Sequence, residues 1–377
     1  MPIYNFVAGP ATLPVPVLNQ IQAELTDYQG TGLSILEISH RSPQFTTLLA
    51  QAKQLLLQLM HLKASEYEVL FLQGGATLQF TMAPLNLATK FHRVAFVNSG
   101  HWAERAMAEA KLIPDLVVDE VASAAPHFNH FPLVELTGPA KYDYLHLTTN
   151  NTIYGTALNQ LPEVDLPLVG DLSSNFLAQD YPFDRFALIY AGAQKNLAPA
   201  GLTVVVVKKT LLAQMPTALP AMLSYRKLAA KDSALNTPPV FQIYVAKLVL
   251  EWLVKQGGVA AIEAVNRQKA QLIYDAIDQT TFYHNQVRPA DRSLTNVPFT
   301  TGDSELDQTF ITKAQQAGLM NLKGHRLTGG MRASLYNAMP LEGAVALRNF
   351  MLQFAKDHEE EKWCIKLRLL MLSRQLG

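Results

Sequence analysis

The 377-residue chain predicts an α/β protein: a mainly parallel sheet covered on both faces by helices, followed by a smaller C-terminal α/β domain. Three observations carry this expectation. Short apolar runs alternate with helix-like segments at the spacing of strand–crossover–strand units. Several of those runs end in glycine-rich or polar turns. Beyond about residue 262 the texture changes to shorter runs interleaved with helical patterns.

The elements follow in order. Residues 68–72 read as a strand that runs into Gly74-Gly75 and a helix over 76–88. Residues 93–97 form the next strand, with Ser99-Gly100 and a helix beginning near His101 behind it. Residues 116–119, 144–148 and 167–170 read as further strands, and 186–191 and 202–207 as two more that flank Lys195. Long helical patterns span about 239–255 and 259–278, interrupted at Gly257-Gly258. Strand-like 293–299, 319–322 and 331–336 then alternate with helices at roughly 304–317 and 341–355. The expected division is a large domain over 15–261, a small domain from 1–14 and 262–357, and an extension over 358–377.

Composition narrows the function classes. Lys plus Arg and Asp plus Glu both number 31, so the formal net charge is zero. That balance argues against nucleic acid or an anionic membrane as the main partner, since both call for a basic surface. With Cys364 as the one cysteine, an internal disulfide is impossible, and no metal site is expected. The first 18 residues contain four prolines and no early positive charge, which does not read as a signal peptide. No uncharged apolar run approaches a membrane span. A cytoplasmic protein is the expectation.

In open α/β sheets, ligands collect beyond the carboxyl ends of the strands. There the chain places residues suited to one chemistry. Gln73-Gly74-Gly75-Ala76-Thr77 permits a tight turn with free amides at a helix N-terminus, a setting for phosphate, although such a turn is by itself as easily only a turn. Trp102 alone reads as core packing. Asp171 directly follows a buried run, which is costly without a partner, though a turn cap is an equal alternative. Lys195 sits among Ala, Gly, Pro and Asn, and lysine is rarely buried without a reason. A surface lysine in a hairpin-like connection is the plain alternative; the small neighbours count against it. Taken together, these groups compose a pyridoxal phosphate site. The lysine condenses with the aldehyde, the aspartate holds a protonated ring nitrogen, the glycine turn holds the phosphate, and the aromatic covers the ring. His40, Arg41, His325, Arg326 and Arg332 form a cationic set that suits carboxylate and phosphate, although each alone reads as a salt-bridge residue.

The stretches FVAGPATLP, EISHRSPQF, LFLQGGATLQF, NSGHWAERA, GDLSS, IYAGAQKNLAPAGLTVVVV, LNTPPVF, NVPF and KGHRLTGGMRASLYNAMPLEG carry a resemblance. Over about residues 3–357 the chain resembles the phosphoserine aminotransferase family, class V pyridoxal-phosphate transaminases of fold type I. The resemblance implies a seven-stranded-type sheet and a homodimer with shared active sites. It implies that Lys195 forms a Schiff base with pyridoxal 5'-phosphate and then moves the proton between substrate Cα and cofactor C4′. Asp171 would pair with the ring nitrogen, Trp102 would stack on the ring, and Thr152 would contact its hydroxyl side. Ala76, Thr77 and Gln194 would serve the cofactor phosphate, and Asn236 and Thr237 would reach it across the dimer. Arg41 would bind the glutamate carboxylate. His40, His325, Arg326 and Arg332 complete the substrate-binding set. The implied ping-pong reaction, in serine biosynthesis, converts 3-phosphohydroxypyruvate and L-glutamate to O-phospho-L-serine and 2-oxoglutarate.

The chain departs from the resemblance at Thr77, where some relatives carry a basic residue, and in the tail over 358–377. A cysteine desulfurase would need a catalytic cysteine on a mobile loop, whereas Cys364 lies in the tail. An alanine–glyoxylate type transaminase would not need the HR and MR cations. A non-catalytic binding protein would not need both Lys195 and Asp171.

Overall fold

The computed structural model describes residues 2–136 and 141–375, with side chains through His358. Its strands are β1 (Tyr4–Asn5), β2 (Tyr67–Leu72), β3 (Arg93–Asn98), β4 (Val117–Ser123), β5 (Leu145–Thr148), β6 (Leu168–Asp171), β7 (Phe186–Gly192), β8 (Thr203–Lys208), β9 (Asn296–Phe299), β10 (Leu319–Met320) and β11 (Met331–Ser334). Seven of them build one sheet in the order β2-β8-β7-β6-β5-β3-β4. β4, β3, β5, β6 and β7 pair in parallel, while β8 runs antiparallel to both β7 and β2. The mainly parallel α/β sheet matches the expected class.

The sheet is covered on both faces, so its central strands have no polar side. Every residue of β5, β6 and β7 is buried. Alternation along the strands divides them between two cores. Leu145, Leu168, Ile189 and Val204 pack in one core with helices Pro43–Leu59 and Val240–Lys255. Val169, Leu188, Tyr190 and Val205 pack in the other with helices Gly75–Leu87 and His101–Ala110. A fully buried Val contributes about 1.5–3 kcal/mol relative to exposure, which explains the TVVVV run of β8.

A third core lies outside this sheet. Phe6, Ile273, Phe299, Phe310, Met331 and Leu347 are among its buried members. They draw on helices Gly258–Asp278, Ser304–Gln316 and Leu341–Gln375 and on the antiparallel pair β9–β11. β1 pairs in parallel with β10, bringing the N-terminal segment to this core.

Three differences from the sequence expectation have local causes. Helices Val15–Glu24 and Pro43–Leu59 were not anticipated; the second starts on Ser42, whose hydroxyl accepts the Phe45 amide at 3.2 Å, with Pro43 in its first turn. The strand expected over 293–299 begins only at Asn296. The Ser293 hydroxyl accepts the amides of Thr295 and Asn296 and bends that segment into a turn. The last helix does not end near residue 355 but continues to Gln375, so the tail is a continuation of that helix rather than a separate one. How its side chains pack lies outside the described residues. Among the described residues, no helix is long and apolar enough to cross a membrane.

Candidate active site

Lys195 lies on the connection between the antiparallel neighbours β7 and β8, so the hairpin-like topology is real. The lysine itself is not a free surface residue. The loop closes tightly: Leu197 and Ala198 both donate their amides to the Ala193 carbonyl, at 3.0 and 2.9 Å. Lys195 is only partly exposed, and its Nζ donates to Thr152 Oγ1 at 2.8 Å. Burial pulls this amine down to about 8; nearby Asp171 works against that fall, and Arg332 adds to it. An amine near that value can act as both nucleophile and acid at neutral pH.

Asp171 closes β6, in register with Tyr190 of β7. It is buried, with Oδ1 accepting the Ser173 amide at 2.9 Å. Burial raises its carboxyl pKa, opposed by the bonds from Ser173 and the charge of Lys195. A buried carboxylate of this kind is stabilised by a further cation, and a protonated ring nitrogen supplies one.

Gly74 and Gly75, at φ +92° and +67°, turn the chain from β2 into helix Gly75–Leu87. At Gly74 a Cβ would lie 2.4 Å from Leu78 Cδ2, whereas at Gly75 it would meet open space. Among the described residues, no hydrogen-bond acceptor takes the amides of Ala76 and Thr77. Trp102 sits half-buried in the first turn of helix His101–Ala110, and its Nε1 is buried without an acceptor. Free amides at the glycine turn, the unpartnered indole donor, buried Asp171 and the depressed Lys195 amine all fit pyridoxal phosphate. Among the described residues, no cluster of three His, Cys, Asp or Glu could hold a metal ion.

Part of the cationic set joins this group. Arg332 on β11 donates from Nη1 to the Thr152 carbonyl at 3.2 Å, and its Nε is buried without a partner. Burial lowers its pKa. His325 is depressed by burial and then by the charges of Arg332, His101 and Arg326. Its ring lies 6.4 Å from that of His101, which in turn packs edge-on against Trp102 at 5.2 Å. The turn bearing His325 and Arg326 needs glycine at Gly324, where a Cβ would lie 1.9 Å from the Gly329 carbonyl oxygen.

Among the described residues, the side chains of the other predicted residues make no hydrogen bond to Lys195 or Arg332. His40 and exposed Arg41 precede helix Pro43–Leu59, and no hydrogen bond, ion pair or ring contact joins their side chains to Lys195 or Arg332. Asn236 and Thr237 are exposed beside the glycine turn of their own chain, with the Thr237 carbonyl accepting from Gln73 Nε2 at 2.9 Å. Gln194 holds Ala11 through its backbone carbonyl at 2.8 Å, and no bond carries its side chain to the glycine turn. Sequence reasoning missed His101. Its position beside Trp102, at the start of a helix behind a strand end, was the available signal.

The family model described as Aminotransferase class-V matches residues 3–347. The phosphoserine aminotransferase of Limosilactobacillus fermentum is 64% identical over 357 residues, 95% of this chain and 100% of that protein. That of Lactiplantibacillus plantarum is 55% identical, covering 95% of this chain and 100% of its own length. The solved phosphoserine aminotransferase from Bacillus circulans subsp. alkalophilus superposes with a TM-score of 0.91 at 43% identity, over 94% of this chain and 99% of that one. A pyridoxal-phosphate-bound phosphoserine aminotransferase from Trichomonas vaginalis gives 0.88 at 35% identity, over 93% and 99%. The chain therefore belongs to the class-V aminotransferase family, within its phosphoserine aminotransferase branch.

Proposed function

We propose that this chain transfers the amino group of L-glutamate to 3-phosphohydroxypyruvate, yielding O-phospho-L-serine and 2-oxoglutarate. The observation that carries the reading is Lys195 Nζ, 2.8 Å from Thr152 Oγ1, on a strand-end loop close enough to Asp171 for their charges to interact. The family membership and the phosphoserine aminotransferase relatives support the same substrates.

Pyridoxal phosphate, when bound, supplies an electrophilic aldehyde and a ring that accepts electrons from the substrate α-carbon. Lys195 Nζ would hold the cofactor, and the same amine would carry the proton at the substrate α-carbon. The Thr152 hydroxyl accepts from Nζ and keeps the amine directed into the site. Asp171 would keep the ring nitrogen protonated, Trp102 would cover the ring, and the amides of Ala76 and Thr77 with Gln194 would serve the phosphate. Arg332, His325 and Arg326 hold the substrate phosphate; His40 and Arg41 serve the carboxylate side.

Asn236 and Thr237 complete the site across a homodimer. This is supported by the exposure of Asn236 and Thr237 at the glycine turn. The division into residues 15–261 against 1–14 with 262–357 is supported by the separate core that includes Phe6. An assay of 2-oxoglutarate formed from glutamate tests the function. Turnover with 3-phosphohydroxypyruvate should far exceed that with pyruvate or glyoxylate; equal rates would overturn the substrate assignment.

A further inference from the structure

Lys269, on helix Gly258–Asp278, is fully buried and has no carboxylate partner in any ion pair among the described residues. Its Nζ donates to three carbonyls: Leu335 at 3.2 Å, Tyr336 at 2.8 Å and Met339 at 3.0 Å. An ammonium has three donors, and here each finds an acceptor. Burial drags the group down to about 7, while the three carbonyl dipoles favour keeping its proton. A leucine or methionine there would leave three buried carbonyls without a donor, so the ammonium holds the turn from Leu335 to Met339 in one geometry.

The turn it grips leads to the catalytic lysine. One helical turn before Lys269, buried Asn266 donates to the Ala178 carbonyl and to Asn337 Oδ1, each at 2.9 Å. Asn337 lies within the gripped turn. Its side chain donates to the Leu177 carbonyl at 2.9 Å, and its backbone amide donates to Asn196 Oδ1 at 2.9 Å. Asn196 directly follows Lys195. The same turn continues β11, the strand of Arg332, whose Nη1 bonds the Thr152 carbonyl. Thr152 Oγ1 receives Lys195 Nζ. These links close a ring: Lys195 to Thr152, to Arg332, along the chain to Asn337, to Asn196 and back to Lys195.

We propose that Lys269, Asn266 and Asn337 are positioning residues that fix Lys195 against Arg332, acting through Asn196. The proposal rests on the function proposed above, with Lys195 as the proton-moving group. Misplacement of about 1 Å in such a group can cost a hundredfold in rate, although substrate binding is untouched.

The experiment uses the holoenzymes of Asn196→Ala, Asn266→Ala and Lys269→Met. Asn196→Ala cuts the ring beside Lys195 and removes no buried charge, so it is expected to fold. It should lower kcat by about tenfold to a hundredfold, change KM for glutamate little, and shift the pH midpoint of the cofactor's visible absorbance. Asn266→Ala should give a smaller change of the same kind. Lys269→Met should do likewise below its reduced Tm. If both asparagine variants keep the wild-type kcat and midpoint and lose only thermal stability, the residues are structural and the proposal is overturned. A wild type without visible absorbance or phosphoserine turnover would instead sink the function, leaving the ring of contacts as it is.

Discussion

Lys195 and Thr152 are joined by a 2.8 Å hydrogen bond from Nζ to Oγ1, and the carbonyl of the same threonine receives Arg332 at 3.2 Å. One small residue thus sits between the lysine amine and a guanidinium suited to an anionic ligand. The arrangement makes the amine's protonation measurable.

The Lys195 amine in the cofactor-free protein should react with an acylating reagent with a pH midpoint near 8, well below an ordinary lysine. Thr152→Val removes the acceptor that favours the charged form, so the midpoint should fall further. Peptide mapping of the modified lysine against pH checks both. Lys195→Ala should abolish transamination, since acid–base assistance alone contributes roughly 10²–10⁴-fold.

Asp171 offers a test that separates structure from catalysis. Burial raises its folded-state pKa above the unfolded value, so in the cofactor-free fold the charged carboxylate carries a cost at neutral pH. That cost fades as pH falls through the raised pKa. Asp171→Asn should therefore leave the Tm of cofactor-free protein unchanged or higher at pH 7, with the difference shrinking in acid. The cofactor-loaded variant should lose most of its turnover, because an amide cannot stabilise a cationic ring nitrogen. Normal turnover with cofactor bound would make Asp171 a turn cap.

The tail gives a third prediction. Helix Leu341–Gln375 passes beyond Asp357 without a break, and the family model matches only through residue 347. Truncation after Asp357 should leave kcat/KM for phosphoserine intact and alter thermal stability or solubility at most. A folded truncation with lost activity would show that the tail reaches the site.

Strand ends were the legible part of this protein. Lys195, Asp171 and the Gly74-Gly75 turn each follow an apolar run, and sheet topology alone gathers such positions. The Lys269–Asn337–Asn196 route was not legible, because its members come from distant parts of the chain and meet only when the third core packs against the sheet. Ser293 misled for the opposite reason: a local hydroxyl bond overrides strand propensity within three residues. The last helix outran its expected end because residues 356–375 contain no glycine or proline to stop it.

The proposed reading gives Arg332 the substrate phosphate. Its Nε is buried without a partner and its pKa is lowered by burial, so an incoming phosphate would meet a guanidinium short of acceptors. Arg332→Ala should reduce kcat/KM for phosphoserine by roughly tenfold to a hundredfold, the cost of a lost charge-assisted bond of about 1.5–3 kcal/mol. Glutamate should suffer less, since its carboxylate depends more on Arg41. Arg332→Lys should recover only part of the loss, because an ammonium lacks the planar fork. Arg332 also holds the Thr152 carbonyl, so its removal could disturb Lys195 itself. Free serine is the control: a poor substrate that carries no phosphate, it reports any damage to the lysine alone. Measured kcat/KM for phosphoserine, glutamate and serine in the wild type and both variants separates the two effects. A uniform fall across all three would mean that Arg332 braces Thr152 and Lys195 rather than reading the phosphate.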